Sequence, residues 1–148
     1  PDIGIDYTVM QKLWRLAGAD HLHVNGLASK FSEPDVSVTR SARSVQAPVC
    51  VGDAPPMTAM PVFSSGQTVW QVGPTRALLG NDDFIFCAGG GLLSHPDGVG
   101  AGVRAMRQAA KAARDGVSLN EKAADAPELA RAIAHFSPAK VDPAALLR

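Results

Sequence analysis

Apolar side chains near the start of the chain fall at Val9, Met10, Leu13, Trp14 and Ala17, the spacing of one helix face, with Asp6 at an N-cap position and Gly18 at a C′ position. The next apolar run, His21-Leu22-His23-Val24, is short and bounded by Asp20 and Asn25-Gly26. It predicts a strand that empties into a loop carrying Ser29, Lys30 and Phe31. Residues 36–45 predict a modest helix, followed by a connection punctuated by Pro48, Gly52, Pro55 and Pro56. Met60-Pro61-Val62-Phe63 predicts a second strand, ending at Ser64-Ser65-Gly66, and residues 67–79 a helix that Gly73 and Pro74 should shorten or kink. A third strand, 84–87, runs into Gly89-Gly90-Gly91. The clearest helix is 103–114, with Met106, Ala109, Ala110 and Ala113 on one face and Gly116 closing it. Beyond it, Ser118 with Glu121 and Asp125 with Glu128 have capping-box spacing, and Pro127 sits early in the second of these helices.

Strand, loop and helix thus recur three times, at distances suited to right-handed crossovers between parallel strands. A parallel strand is buried on both faces, and an eight-fold barrel takes ~250 residues, so three units read as the second half of a barrel whose first strands lie on a preceding segment. A small open sheet complete in itself is the alternative. Residues 1–116 are expected to form the half-barrel and 117–148 a helical extension packed on it.

Composition narrows the partners. With 46% hydrophobic residues among 148, the chain can bury a core as one globular unit. Fourteen basic residues balance fourteen acidic ones, so no long-range field draws it to nucleic acid or to an anionic membrane. No apolar run approaches the ~20 residues that span a bilayer, and the N-terminus lacks the character of a secretory signal, so a cytoplasmic location is expected. Cys50 and Cys87 form no CxxC pair and are expected to be reduced, small apolar core residues.

In parallel α/β proteins ligands bind beyond the C-terminal ends of the strands. Three clusters stand there: His21 and His23 with Lys30; Ser64-Ser65-Gly66; and Gly89-Gly90-Gly91. His21 and His23 are two apart on a strand and share a face. Such a pair can bind a metal, but no further His or Asp ligands stand near the other strand ends, so no metal site is assigned to this segment. His21 reads as a hydrogen-bonded core histidine, His23 as a donor to a phosphate or enolate oxygen. Lys30 is either a solvated loop charge or, above a barrel mouth, a lysine that closes over an anionic intermediate. Ser64 either caps the following helix or hydrogen-bonds substrate. Three successive glycines exceed what strand-to-helix packing needs, and bare backbone at Gly89 and Gly90, with Gly66, suits a phosphate of a small phosphorylated ligand.

The order of these motifs is specific. Gly18-Ala19-Asp20-His21-Leu22-His23, then Lys30 in a loop, Met60-Pro61-Val62-Phe63-Ser64-Ser65-Gly66-Gln67-Thr68-Val69-Trp70, Gly89-Gly90-Gly91 and His95-Pro96 together resemble the C-terminal barrel of the ribulose-bisphosphate carboxylase large-chain family. The resemblance runs from Tyr7 to about Arg114. It implies an α/β fold, with strands six to eight and the following helices of a (β/α)8 TIM barrel, and Lys30 on the mobile sixth loop. It also implies that His23 contacts substrate near one phosphate, that Ser64 hydrogen-bonds the sugar-derived backbone, and that Gly66, Gly89 and Gly90 hold the other phosphate. His21 matches a deeper barrel histidine. A homodimer is implied, since a partner subunit's N-terminal domain completes the site in that family.

Ser65 stands where the carboxylases have the first of two glycines, Ser29 where a glycine precedes the loop lysine, and the exit Val24-Asn25-Gly26-Leu27-Ala28 differs. The chain therefore more closely resembles the RuBisCO-like proteins. That branch implies a Mg2+-dependent enzyme, with metal ligands and base on other strands, that enolises a phosphorylated keto sugar or sugar acid. Isomerase, enolase and decarboxylase outcomes are all implied, 5-methylthioribulose-1-phosphate isomerisation among them. The alternatives are ribulose-1,5-bisphosphate carboxylase and a non-catalytic sugar-phosphate-binding regulatory protein.

Overall fold

The computed structural model describes residues 4–30, 33–50, 52 and 56–147. Asp6 caps α1 (Tyr7–Leu16) by accepting from the Thr8 amide at 2.9 Å, and Gly18 follows it at φ +95°. Then come β1 (His21–Asn25), α2 (Asp35–Gln46) and β2 (Met60–Phe63). α3 (Val69–Leu79) opens on a capping box of Thr68 and Gln71 and ends at left-handed Gly80. Pro74 does not break it, although the helix starts two residues later than the sequence pattern suggests.

The third strand, β3 (Ile85–Phe86), is only two residues long, and the glycine run is the first turn of a short helix, α4 (Gly89–Leu93), rather than an open loop. α5 (Val99–Asp115) follows, closed by Gly116. It begins four residues earlier than its apolar pattern predicts and buries Ala101, Ala105, Ala109 and Ala112, so the buried face is rotated from the expected one. The chain ends with α6 (Leu119–Ala123), α7 (Pro127–His135) and α8 (Pro143–Leu146). Ser118 caps α6 through the Glu121 amide. Asp125 does not cap α7; its carboxylate instead pairs with Lys122 at 2.8 Å.

The strands form one parallel sheet in the order β1-β2-β3. His21 lies opposite Met60, His23 opposite Val62, and Val62 opposite Ile85, so these residues share one face. Leu22, Val24 and Phe63 point the other way, into a core with Val38, Ala42 and Val45 of α2 and Leu78 of α3. A second core joins Val69 and Val72 of α3 to Ala105 and Ala109 of α5 and to Leu129 and Ala132 of α7. The helices therefore cover one face, while the face bearing His21 and His23 is open, both histidines being exposed.

Two expectations are overturned. The apolar face of α1 is not its buried face: Val9, Leu13, Trp14 and Leu16 keep about half their surface, whereas Gln11 and Arg15 are buried. Arg15 donates to the carbonyls of Val45 and Ala47 at 3.0 and 2.6 Å, which ties α1 to the end of α2; the Val45 carbonyl also accepts from the Ala59 amide at 3.0 Å. The two cysteines, in turn, are free and exposed rather than core residues. Among the described residues no helix is long and apolar enough to cross a membrane.

α7 is fastened to α5 by a polar cluster. The Glu128 carboxylate accepts from Gln108 at 2.8 Å and from Arg104 at 2.7 Å, while Gln108 Oε1 accepts from the Leu129 amide at 3.0 Å. Those donors, Gln108 first, hold the Glu128 carboxyl well below its ordinary 4.5, at about 2. A carboxyl depressed in the folded state stabilises it above the unfolded value, and that stability is lost as pH falls through the folded one. Urea midpoints measured between pH 5 and 2 should therefore fall more steeply for the native protein than for Glu128→Gln; parallel curves would show that the cluster adds nothing.

Candidate active site

Two of the three strands, β1 and β2, end in backbone that ordinary residues adopt reluctantly. At the exit of β1 Asn25 has φ +60° and Ala28 +46°, and at the exit of β2 Ser65 has φ +75°, followed by Gly66 at +83°. Three of the four positive-φ non-glycine residues among those described thus flank the candidate site, a clustering typical of backbone held for function. A slip in pairing between His23 and Asn25 lets the chain leave the sheet there.

The two exits are tied together. The Ser64 amide donates to Asn25 O at 3.0 Å and the Lys30 amide to Ser65 O at 3.2 Å. His23 Nε2 and Ser64 Oγ are hydrogen-bonded, and Ser64 Oγ lies 3.1 Å from Ser65 Oγ. Ser65 Oγ donates to Asn25 Oδ1 at 3.4 Å, and Asn25 Nδ2 donates to the Glu33 carboxylate, whose other oxygen accepts from Ser37 at 2.8 Å. On the far side of His23, the Tyr7 hydroxyl donates to its carbonyl at 2.8 Å. Burial, and after it the Glu33 carboxylate, push the Tyr7 phenol above its usual range.

The third exit touches the second. The Cys87 amide continues the parallel pairing by donating to Phe63 O at 2.7 Å. Gly91 packs where a Cβ would lie 2.6 Å from Gln67 O and 3.1 Å from Thr68 Cα, so no larger residue fits. Gly89 and Gly90 differ: both are exposed, and a Cβ on either would meet nothing within 4 Å. One glycine of the three is thus a packing requirement, and the other two present unobstructed backbone at the same end of the sheet as His23, Ser64 and the Lys30 loop.

The structure brings Lys30, His23, Ser64, Ser65 and Gly66 to one rim and sets Gly89 and Gly90 beside it. Ser64 is not a helix cap, because Thr68 takes that role and leaves the serine hydroxyl to His23. His21 is exposed rather than a core residue, and it lines a hollow at the opposite end of the sheet with Asp20, Gln46 and Asp83. Asn25, Glu33 and Gln67 escaped the sequence reading. The Asn25-Gly26 pair signalled a turn without showing that its amide would bridge two strand exits. Among the described residues no three His, Cys, Asp or Glu side chains cluster closely enough to hold a metal ion together.

A parallel βα sheet that gathers its polar side chains and bare glycines at the C-terminal ends of its strands is the rim of a barrel-type α/β protein. Residues 1–136 match the family model of the ribulose bisphosphate carboxylase large chain, catalytic domain, and the chain belongs to that family. It is 53% identical over 133 residues to the 3-oxo-isoapionate-4-phosphate transcarboxylase/hydrolase of Xanthobacter autotrophicus, covering 90% of this chain and 32% of that protein. It is 42% identical over 142 residues to the 3-oxo-isoapionate-4-phosphate decarboxylase of Rhizobium etli, covering 95% and 33%. Among solved structures, a rubisco-like protein from Burkholderia fungorum superposes with a TM-score of 0.86 at 44% identity, over 90% of this chain and 32% of that one. The chain spans about a third of the length of the curated relatives it matches, and its three βα units are part of the (β/α)8 barrel of the RuBisCO-like proteins.

The glycines allow a direct check. Gly91→Ala must displace backbone and should cost about 1–3 kcal/mol in urea unfolding of the whole protein, whereas Gly90→Ala, with open space around it, should leave the midpoint unchanged or slightly raised. Equal losses for both would show that packing explains the entire run.

Proposed function

We propose that the protein is a RuBisCO-like enzyme that generates an enolate on a phosphorylated keto sugar or sugar acid. The observation that carries this reading is the convergence of three strand exits, which sets an imidazole paired to a serine, a lysine loop and bare glycine backbone at one rim. The names of the 53% and 42% identical relatives support a 3-oxo sugar-acid phosphate as substrate, with loss or transfer of its carboxyl group as the outcome. Isomerisation of a phosphorylated ketose, through an enolate formed by loss of a proton next to the carbonyl and reprotonated at the neighbouring carbon, is the other outcome.

In the decarboxylating step the bond to the carboxyl carbon breaks and the carboxylate leaves as CO2, while the electron pair of that bond passes through the α-carbon to the keto oxygen as an enolate, which then takes a proton at the α-carbon. The backbone N–H groups of Gly66, Gly89 and Gly90, with the Ser65 hydroxyl, hold phosphate oxygens, and the Ser64 hydroxyl hydrogen-bonds the sugar-derived backbone. His23, its ring oriented by Ser64, and the Lys30 ammonium offset the charge that develops on the enolate oxygen. Mg2+ is held on this reading by ligands elsewhere in the longer polypeptide, and a homodimer completes the site.

The test uses the whole protein with Mg2+ and a panel of phosphorylated ketoses and 3-oxo sugar acids, following decarboxylation and solvent deuterium uptake. Turnover or exchange with at least one substrate is expected, and Lys30→Ala should lower kcat on the order of 10²–10³-fold with KM nearly unchanged. Saturable binding of these compounds without either signal would sink the enzymatic reading and favour a regulatory protein.

A further inference from the structure

We propose that Gln67 is a positioning residue that fixes the Lys30 loop against the turns at the ends of β2 and β3. The inference rests on the functional reading above and adds a residue that neither its chemistry nor its place in a motif would single out. Gln67 is 1% exposed, although it stands at the rim of the sheet among half-exposed residues. Its Nε2 donates to Leu27 O at 3.2 Å, across forty residues of sequence. The side chain fills the space that a β-carbon on Gly26 would occupy, 2.2 Å from Nε2 and 2.3 Å from Cδ, while Ser64 O crowds the same point at 2.3 Å. Its own carbonyl oxygen is the atom that Gly91 packs against.

One residue therefore touches all three exits: β1 through its amide, β2 through its backbone, and β3 through its carbonyl. Four residues after Gly26, the Lys30 amide reaches Ser65 O. The path from Gln67 to the lysine runs through a segment with two positive-φ residues, Asn25 and Ala28, which needs outside support to hold that shape. Only an amide suits the position. Leucine and methionine lack the donor for Leu27 O, glutamate would set an acceptor against an acceptor, and asparagine is one methylene short. The second amide atom, Oε1, is buried without a partner, so a polar side chain is kept here at a desolvation cost that an apolar one would avoid.

Two readouts on the whole protein test the role. Amide hydrogen exchange across residues 26–30 should speed up at least ten-fold in Gln67→Leu relative to the native protein, with the melting temperature within a few degrees; Gln67→Met serves if the leucine variant does not fold. In turnover assays Gln67→Leu should lower kcat ten-fold or more, yet by less than three-fold when Lys30 is already alanine, because its effect is exerted through the lysine. Unchanged exchange, or the same fold-loss in both backgrounds, overturns the proposal. If Lys30→Ala alone leaves turnover intact, the lysine has no part in the step, and the exchange rates still decide whether Gln67 holds the loop.

Discussion

The close approach of three loops at one point governs this structure. Gly26 has no room for a side chain because the Ser64 carbonyl and the Gln67 amide already occupy its Cβ direction, and Gly91 has none because of the Gln67 carbonyl. Parallel pairing sets the strand ends side by side, and the loops beyond them pack in contact only where backbone lacks Cβ atoms and a side chain fills what they leave. With the loops so joined, the hydroxyls of Ser64 and Ser65, the ring of His23 and the Lys30 amide lie within one hydrogen-bonded chain.

The sheet then divides its labour by face. Leu22, Val24 and Phe63 anchor the strands on the helices, while His21, His23 and Val62 look the other way. Alternation along β1 thus sends polar chemistry and core packing to opposite sides from adjacent residues. α1 obeys a different demand. Its apolar residues stay exposed while Arg15 turns inward to the carbonyls of Val45 and Ala47, and Gln11 is buried beside it without a hydrogen-bond partner.

Much of this was legible beforehand. The Asp6 cap, the Met60–Phe63 strand and the Gly116 terminus are local features, each set by a few neighbouring residues, and each is found where the pattern puts it. The ordered motifs around His23, Lys30, Ser64 and Gly89 carried the family itself. What misled were features whose meaning depends on distant partners: the buried face of α1, the two cysteines, and Asp125, which Lys122 draws away from a cap it has the right spacing to make. The glycine run was half legible, since sequence marked it as special without separating Gly91, which packs, from Gly89 and Gly90, which do not.

By itself the chain of residues determined the elements, their parallel arrangement and the kinship with the RuBisCO-like proteins, because periodicity, caps and motif order are all written over short distances. Only the folded molecule decided which helix face is buried, which hydroxyl meets His23, and that a glutamine just past the second strand's serine-glycine turn joins three loops. Those outcomes depend on atoms thirty or more residues apart competing for the same few cubic ångströms and the same hydrogen-bond partners, and no local pattern encodes the result of that competition.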